Sequence, residues 1–262
     1  DYFSQATPPA LHTPEGATLL PHVVSALAGP MAPGQYAQAG DQQGASGIGK
    51  VVTLEGSVTA QHTDGTVVQV AIGDPVAMGD VLQTGSGASV GLVFTDGTVF
   101  SLSSDSRMVL DNLVYQPGGN DNALNFSIVQ GTFSFVAGQV APTGEMRIDT
   151  PVATLGIRGT APMGICSQGG PCKFILVPNP GDGHVGEYLL FAVGTNTLLA
   201  TVNTTDLQYT VFANGGLETG AIDPDFKEEL QNLIDAFEHR EASVDPDQPD
   251  GDGSGETNHA AS

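Results

Sequence analysis

The chain has 262 residues, with 29 Asp and Glu against 7 Lys and Arg and a formal net charge of −22. So few basic residues argue against a nucleic-acid partner or an anionic membrane surface, both of which need a phosphate-neutralising patch. No window approaches 18 consecutive apolar residues, so no membrane-inserting helix is expected in this segment. The opening Asp1-Tyr2-Phe3 carries no Met and no signal-peptide layout. It reads as a processed chain or as a piece of a longer one.

Residues 1–46 are rich in Ala, Pro, Gly and Gln and read as a loosely structured leader. Residues 47–216 then change character. Short runs rich in Val, Thr, Ile, Phe and Tyr alternate with Gly, Asp and Pro, the composition of half-buried strands separated by turns. Asp64-Gly65 and Asp96-Gly97 lie between apolar runs and predict hairpins, and Asn214-Gly215 closes the last run. Leu124–Val129 and Thr132–Ala137 read as two strands with a turn at Gly131. About fifteen such strands and turns, with no sustained helical period, predict an all-β sandwich, barrel or solenoid.

Residues 223–241 switch period. Phe226, Leu230, Leu233, Ile234 and Phe237 fall on one helical face, with Asp223 placed to cap and Pro224 at the first helical position. This predicts a C-terminal amphipathic helix docking on the β domain, with a partner-binding or self-associating helix as the alternative. Residues 242–262 are acidic, carry Gly and Ser, and read as a disordered tail or linker.

The search for chemistry finds no catalytic pattern. His12, His22, His62, His184, His239 and His259 show no metal-ligand spacing and read as solvent-exposed. There is no nucleophile elbow and no P-loop. The run Asp245–Asp252 fails the calcium-loop pattern because Pro249 stands where a ligand is needed, and Asn179–His184 reads as a turn. No cofactor and no specific metal site is expected, only weak, diffuse calcium association with an acidic surface. Cys166 and Cys172 flank Ser-Gln-Gly-Gly-Pro, which bends the chain back. They read either as a disulfide across a hairpin neck, contributing about 2 kcal/mol, or as two inert thiols. Phe94, Phe100, Phe126, Phe133 and Phe135 lie inside strand patterns and read as core.

One set of segments is more specific. Gly79-Asp80-Val81-Leu82-Gln83-Thr84-Gly85 precedes Phe94-Thr95-Asp96-Gly97-Thr98, and a strand–Gly–strand follows around Gly131. Thr150-Pro151-Val152-Ala153-Thr154-Leu155-Gly156-Ile157-Arg158-Gly159-Thr160 comes last. This order, over about residues 50–165, resembles the FecR domain, named from a bacterial regulator of ferric-citrate uptake. The resemblance implies a sandwich- or solenoid-like extracytoplasmic module without catalytic residues. Gly79, Asp80, Thr84, Gly85, Asp96, Gly97, Thr150, Pro151, Arg158, Gly159 and Thr160 carry the motif, and a structural role is expected for Arg158.

Three functional readings follow. The first is a structural or interaction module of a large secreted or cell-surface protein, of the kind that continues into VCBS- or cadherin-like repeats. The alternative is a periplasmic signal-relay or ligand-sensing module of a FecR-type regulator, and a second alternative is a self-assembling surface filament subunit. The expected partners are other domains of a longer chain, other surface or periplasmic proteins, or a second copy pairing through an exposed edge strand.

Overall fold

The computed structural model describes residues 47–179 and 183–228. The leader, the acidic tail and the helix-face residues Leu230, Leu233, Ile234 and Phe237 lie outside the described residues. Strand propensity governs what is described. In chain order come β1 (Gly49–Glu55), β2 (Val58–Gln61), β3 (Val67–Gln69), β4 (Pro75–Val76), β5 (Val81–Thr84), β6 (Ser89–Phe94), β7 (Val99–Leu102), β8 (Arg107–Val114) and β9 (Asn122–Val136). A single helical turn, α1 (Val140–Thr143), separates them from β10 (Gly144–Asp149), β11 (Ala153–Arg158), β12 (Ala161–Cys166) and β13 (Cys172–Val177). Last come β14 (Glu187–Ala192), β15 (Leu198–Val202), β16 (Leu207–Val211) and β17 (Leu217–Ala221). A short helix, α2, occupies 224–228.

The pairings resolve these strands into two sheets that share β9. The first sheet runs β4-β1-β6-β7-β9-β12-β13-β16-β17. The second runs β3-β2-β5-β8-β9-β10-β11-β14-β15. Every pair is antiparallel except β9–β10. After β9 the hairpins β10–β11, β12–β13, β14–β15 and β16–β17 alternate between the sheets, so the chain winds as a flattened solenoid around one core. This is the all-β sandwich or solenoid that the composition predicts. The sheets meet through aromatic rings: Phe126 of the second sheet lies 4.7 Å from Phe94 and 6.4 Å from Phe100 of the first. Phe135 stacks on Phe100 at 5.2 Å within the first sheet.

The strand β9 corrects the expectation of two strands and a turn. Its buried apolar residues are Leu124, Phe126 and Ile128 in the first half and Phe133 and Phe135 in the second, so the inward phase slips by one residue. A one-residue slip exchanges the two faces of a strand. Here it occurs at Gly131, whose φ is +97°, and the chain passes from one sheet to the other without ending. A Cβ on Gly131 would fall 2.4 Å from the Cα of Ser106. Only glycine meets both demands.

Ser106 belongs to a stack of three crossings between the sheets. Thr84, at the β5–β6 crossing, donates to the Ser103 carbonyl at 2.6 Å and accepts from the Ser106 amide at 2.8 Å. Ser106, at the β7–β8 crossing, donates to the Thr132 carbonyl at 3.2 Å beside the β9 bend. Asp105 takes a positive φ of 53° there, and its carbonyl accepts from Gln130 at 2.9 Å.

Several elements escape the sequence pattern. In β12, Pro162 and Gly164 interrupt the strand signal. Pro162 precedes the first β12–β9 register pair, and a Cβ on Gly164 would fall 2.6 Å from the Phe133 ring. The strands β4, β5 and β10 and the turn α1 are short or sparsely apolar. Asn214-Gly215 does not close the last strand but turns β16 into β17, so the sheet continues past residue 216. No helix among the described residues is long and apolar enough to cross a membrane.

Two outcomes are expected from this architecture. Gly131→Ala should cost about 3 kcal/mol or more, since strain and a backbone clash combine. Gly65→Ala, at φ +87° with nothing near its Cβ, should cost only about 1–2 kcal/mol; chemical denaturation separates them. Tyr188 on β14 is buried with no partner for its hydroxyl, and burial followed by the neighbouring Tyr209 raises its pKa well above 10.0. Above its ordinary pKa the unfolded phenol ionises while the folded one does not, so stability falls as pH rises past about 10. Tyr188→Phe should abolish that component of the fall without destabilising the protein at neutral pH, as read from melting curves at stepped pH.

Candidate functional site

The motif residues fall almost entirely at corners, where they satisfy buried backbone. Asp80, 2% exposed, accepts from the Ala77 amide and meets His62 Nδ1, each at 2.8 Å. The expectation of a solvent-exposed His62 is therefore only partly met: its side chain is 39% exposed and paired. Gly79 turns the chain before Asp80 at φ +84°, and Gly85 donates its amide to Ser57 at the crossing that Thr84 ties. Asp96 accepts from the Thr98 amide at 3.0 Å and hydroxyl at 2.7 Å, with Gly97 supplying the positive φ of the β6–β7 turn. It also accepts from the Val140 amide at 3.4 Å, which ties this hairpin to the return from β9.

The last motif segment builds two corners. Thr150 exchanges hydrogen bonds with both backbone groups of Ala153, closing the β10–β11 hairpin around exposed Pro151. Gly159, at φ +68°, turns the chain out of the second sheet towards β12, and the Thr160 carbonyl accepts from Ala137. Arg158 is the exception. Its side chain is 65% exposed, and its contact is Glu187 at 3.4 Å, also exposed. The expected structural role for Arg158 finds no buried carbonyl or Asp in this arrangement; the guanidinium faces solvent.

Arg158 stands at a groove of about 520 Å³ on the outer face of the second sheet. Alternation places Arg147 on that face of β10, Gly156 and Arg158 on β11, and Leu189 and Phe191 on β14, with Arg147, Gly156 and Leu189 in register across three strands. The turn α1 forms one edge through Ala141 and Pro142. A Cβ on Gly156 would lie 3.1 Å from the Phe191 ring, so glycine leaves that ring room over β11. Arg147 pairs with Glu145 at 2.9 Å and also borders a second depression toward Asp149 and Thr154. The groove thus combines an apolar floor with two guanidinium groups, held only by exposed carboxylates in pairs that contribute about 0–1 kcal/mol. Sequence reading passed over Arg147, Leu189 and Phe191 because no local motif marks a face assembled from three strands. Alternating exposure along β10 and β14 is the only local signal they leave.

The cysteines form a disulfide, which settles the open choice. Cys166 and Cys172 are register partners at the end of the β12–β13 hairpin, with Cα atoms 4.1 Å apart, and both are buried. Among the described residues no three His, Cys, Asp or Glu side chains converge as a metal site.

Residues 80–178 match the family model described as FecR protein. Over these residues the chain is similar to the FecR family. The match runs from β5 to β13 and includes every motif residue except Gly79. Two solved structures of a protein provisionally described as an anti-sigma factor, from Parabacteroides distasonis ATCC 8503, are similar at 14% identity. Their TM-scores are 0.42 and 0.41, and each alignment covers 55% of this chain and 60% of that chain. The chain therefore spans less than two thirds of those proteins. No curated protein matches it.

The motif residues should separate by stability. Asp96→Ala strands the buried Thr98 and Val140 amides and should cost about 2–3 kcal/mol. Arg158→Ala should stay within about 0.5 kcal/mol of the parent. Urea denaturation of both variants checks the contrast.

Proposed function

We propose that the chain is a non-catalytic, extracytoplasmic module of a FecR-type regulator, which passes on the state of a partner protein through contacts at the second-sheet groove. The FecR match over residues 80–178 carries this reading, because it spans the strands that present Arg147 and Arg158. It supports the signal-relay alternative more than the surface-protein module placed first from the sequence. The chemistry of the groove agrees. An extended partner segment can bury apolar side chains on Leu189 and Phe191 while its carboxylates replace Glu145 and Glu187. Such an exchange costs little because the resident pairs are exposed and weak. The side chains of Asp80, Thr84, Asp96 and Thr150 do not compete for the partner, since they are occupied at the corners.

The test uses the full protein in the organism that carries it. Deleting the gene should alter a defined set of sigma-factor-dependent transcripts. The double variant Arg147→Ala/Arg158→Ala should alter the same set at unchanged protein level, as read by RNA sequencing. Transcripts that respond to neither change would overturn the regulatory reading. Transcripts that respond to the deletion but not to the double variant would overturn the groove as the contact surface.

A further inference from the structure

The groove of the second sheet has a gap at its centre. Gly156 stands inside β11 on the outer face, half-buried and in register with Arg147 of β10 and Leu189 of β14. A glycine inside a strand weakens it, and commonly marks a bulge, a tight bend or a place where a ligand comes close. The first two do not apply here. The register on both sides of β11 runs without a shift, and Gly156 is not among the positive-φ residues. Packing does not require glycine either. At Gly49 and Gly164 a Cβ would fall 2.7 Å from Phe94 and 2.6 Å from Phe133, both buried rings of the core. At Gly156 the nearest atoms are 3.1 Å away on the half-buried Phe191 ring and 3.8 Å away on Leu189. A small shift of that ring would admit a methyl group, so the fold leaves this position empty without needing to.

The surroundings of the gap define what it admits. Arg147 lies beside it on β10 and Leu189 on β14. Phe191, the next outward residue of β14, reaches over it, and Arg158 is the next outward residue of β11. The hollow therefore has an apolar wall, one aromatic ring and two guanidinium groups, within the groove of about 520 Å³. Two of the chain's four arginines stand here, in a chain of net charge −22. Across the rest of the surface an acidic segment meets an excess of carboxylates, so this is where it is least repelled. An aliphatic side chain seated in the hollow would use only the apolar wall. An aromatic one also packs edge-on or offset against Phe191 and offers its face to the guanidinium groups. Carboxylates on the residues beside it then take the places of Glu145 and Glu187 on Arg147 and Arg158.

We infer that Gly156 is the seat for an aromatic side chain of the partner segment, flanked in that segment by Asp or Glu. The inference rests on the groove being the partner surface and names the group that anchors there. It also gives a reason for a strand-weakening glycine at a position where neither backbone nor packing demands one. Leu189 and Phe191 supply the contact area, and Arg147 and Arg158 select for acidic neighbours.

The chain has no Trp, so a Trp-bearing probe is the only indole in solution. Titrating the full chain into the blocked peptide acetyl-Glu-Trp-Glu-amide should blue-shift the probe's emission to saturation. Acetyl-Gln-Trp-Gln-amide should bind severalfold more weakly. As competitors, acetyl-Glu-Phe-Glu-amide should displace the probe at severalfold lower concentration than acetyl-Glu-Leu-Glu-amide. Gly156→Ala should weaken the probe severalfold with a melting temperature at or above that of the parent, and Gly156→Val should abolish binding. Arg147→Gln/Arg158→Gln should erase the preference for the Glu peptide over the Gln peptide. The seat is overturned by the absence of a saturable shift, by equal binding of the Glu and Gln peptides, by equal competition from Phe and Leu, or by unchanged binding in Gly156→Ala. Because the readout does not involve transcription, the two readings fail separately. Probe binding without any transcript response leaves the seat and overturns the regulatory reading alone. A transcript response to Arg147→Ala/Arg158→Ala without probe binding overturns the seat alone.

Discussion

The stacked crossings at Thr84, Ser106 and Gly131 are the constraint on which the rest of the structure depends. A two-layer β body must pass its chain between layers, and each passage exposes backbone groups that neither ladder can pair. Here the three passages satisfy one another. The Thr84 hydroxyl serves two backbone groups of the 103–106 corner, and the Ser106 hydroxyl serves Thr132. The space left beside Ser106 admits only a residue without a side chain. Because β9 bends at that point instead of ending, it belongs to both sheets, and every other strand takes its register directly or indirectly from it.

The disulfide extends the same arrangement. Cys166 is the register partner of Gly131, so the β12–β13 hairpin is closed covalently beside the bend of β9. At the opposite end of the first sheet, Asp96 and Thr98 hold the chain that returns from β9 through α1 to begin β10. That return produces the one parallel pair among the described residues. It also sets Arg147 beside Gly156, and hence creates the groove. The FecR-like motif is in this sense a record of corners. Its Asp and Gly residues and most of its Thr residues are spent on geometry, whereas the Arg158 guanidinium is left for solvent.

Much of this was legible in the residues. Alternating Val, Thr and Phe predicted strands, Asp-Gly pairs predicted hairpins at Gly65 and Gly97, and the five core Phe residues are buried. Cys166 and Cys172 sit across a hairpin neck, as their spacing allowed. The failures have a common cause. Gly131 looked like a turn because a glycine between two apolar runs has the same local signature whether the chain reverses or bends. β12 leaves only a weak strand pattern because Pro162 and Gly164 interrupt it, although Gly164 is there to admit the Phe133 and Phe174 rings. Each error required knowing what lies across the layer, and propensity carries no information about that.

Composition, period and turn chemistry by themselves determined an all-β body of many short strands, a change of period at 223, and the residues that would punctuate the chain, because these depend on local sterics and on which side chains avoid water. Tertiary structure alone decided which face each strand presents and what meets on it. Arg147, Gly156 and Leu189 belong to three separate segments and become one surface only through register. A strand's two faces are chemically equivalent until its neighbours assign one of them to the core, and that assignment is made by pairing across long stretches of chain.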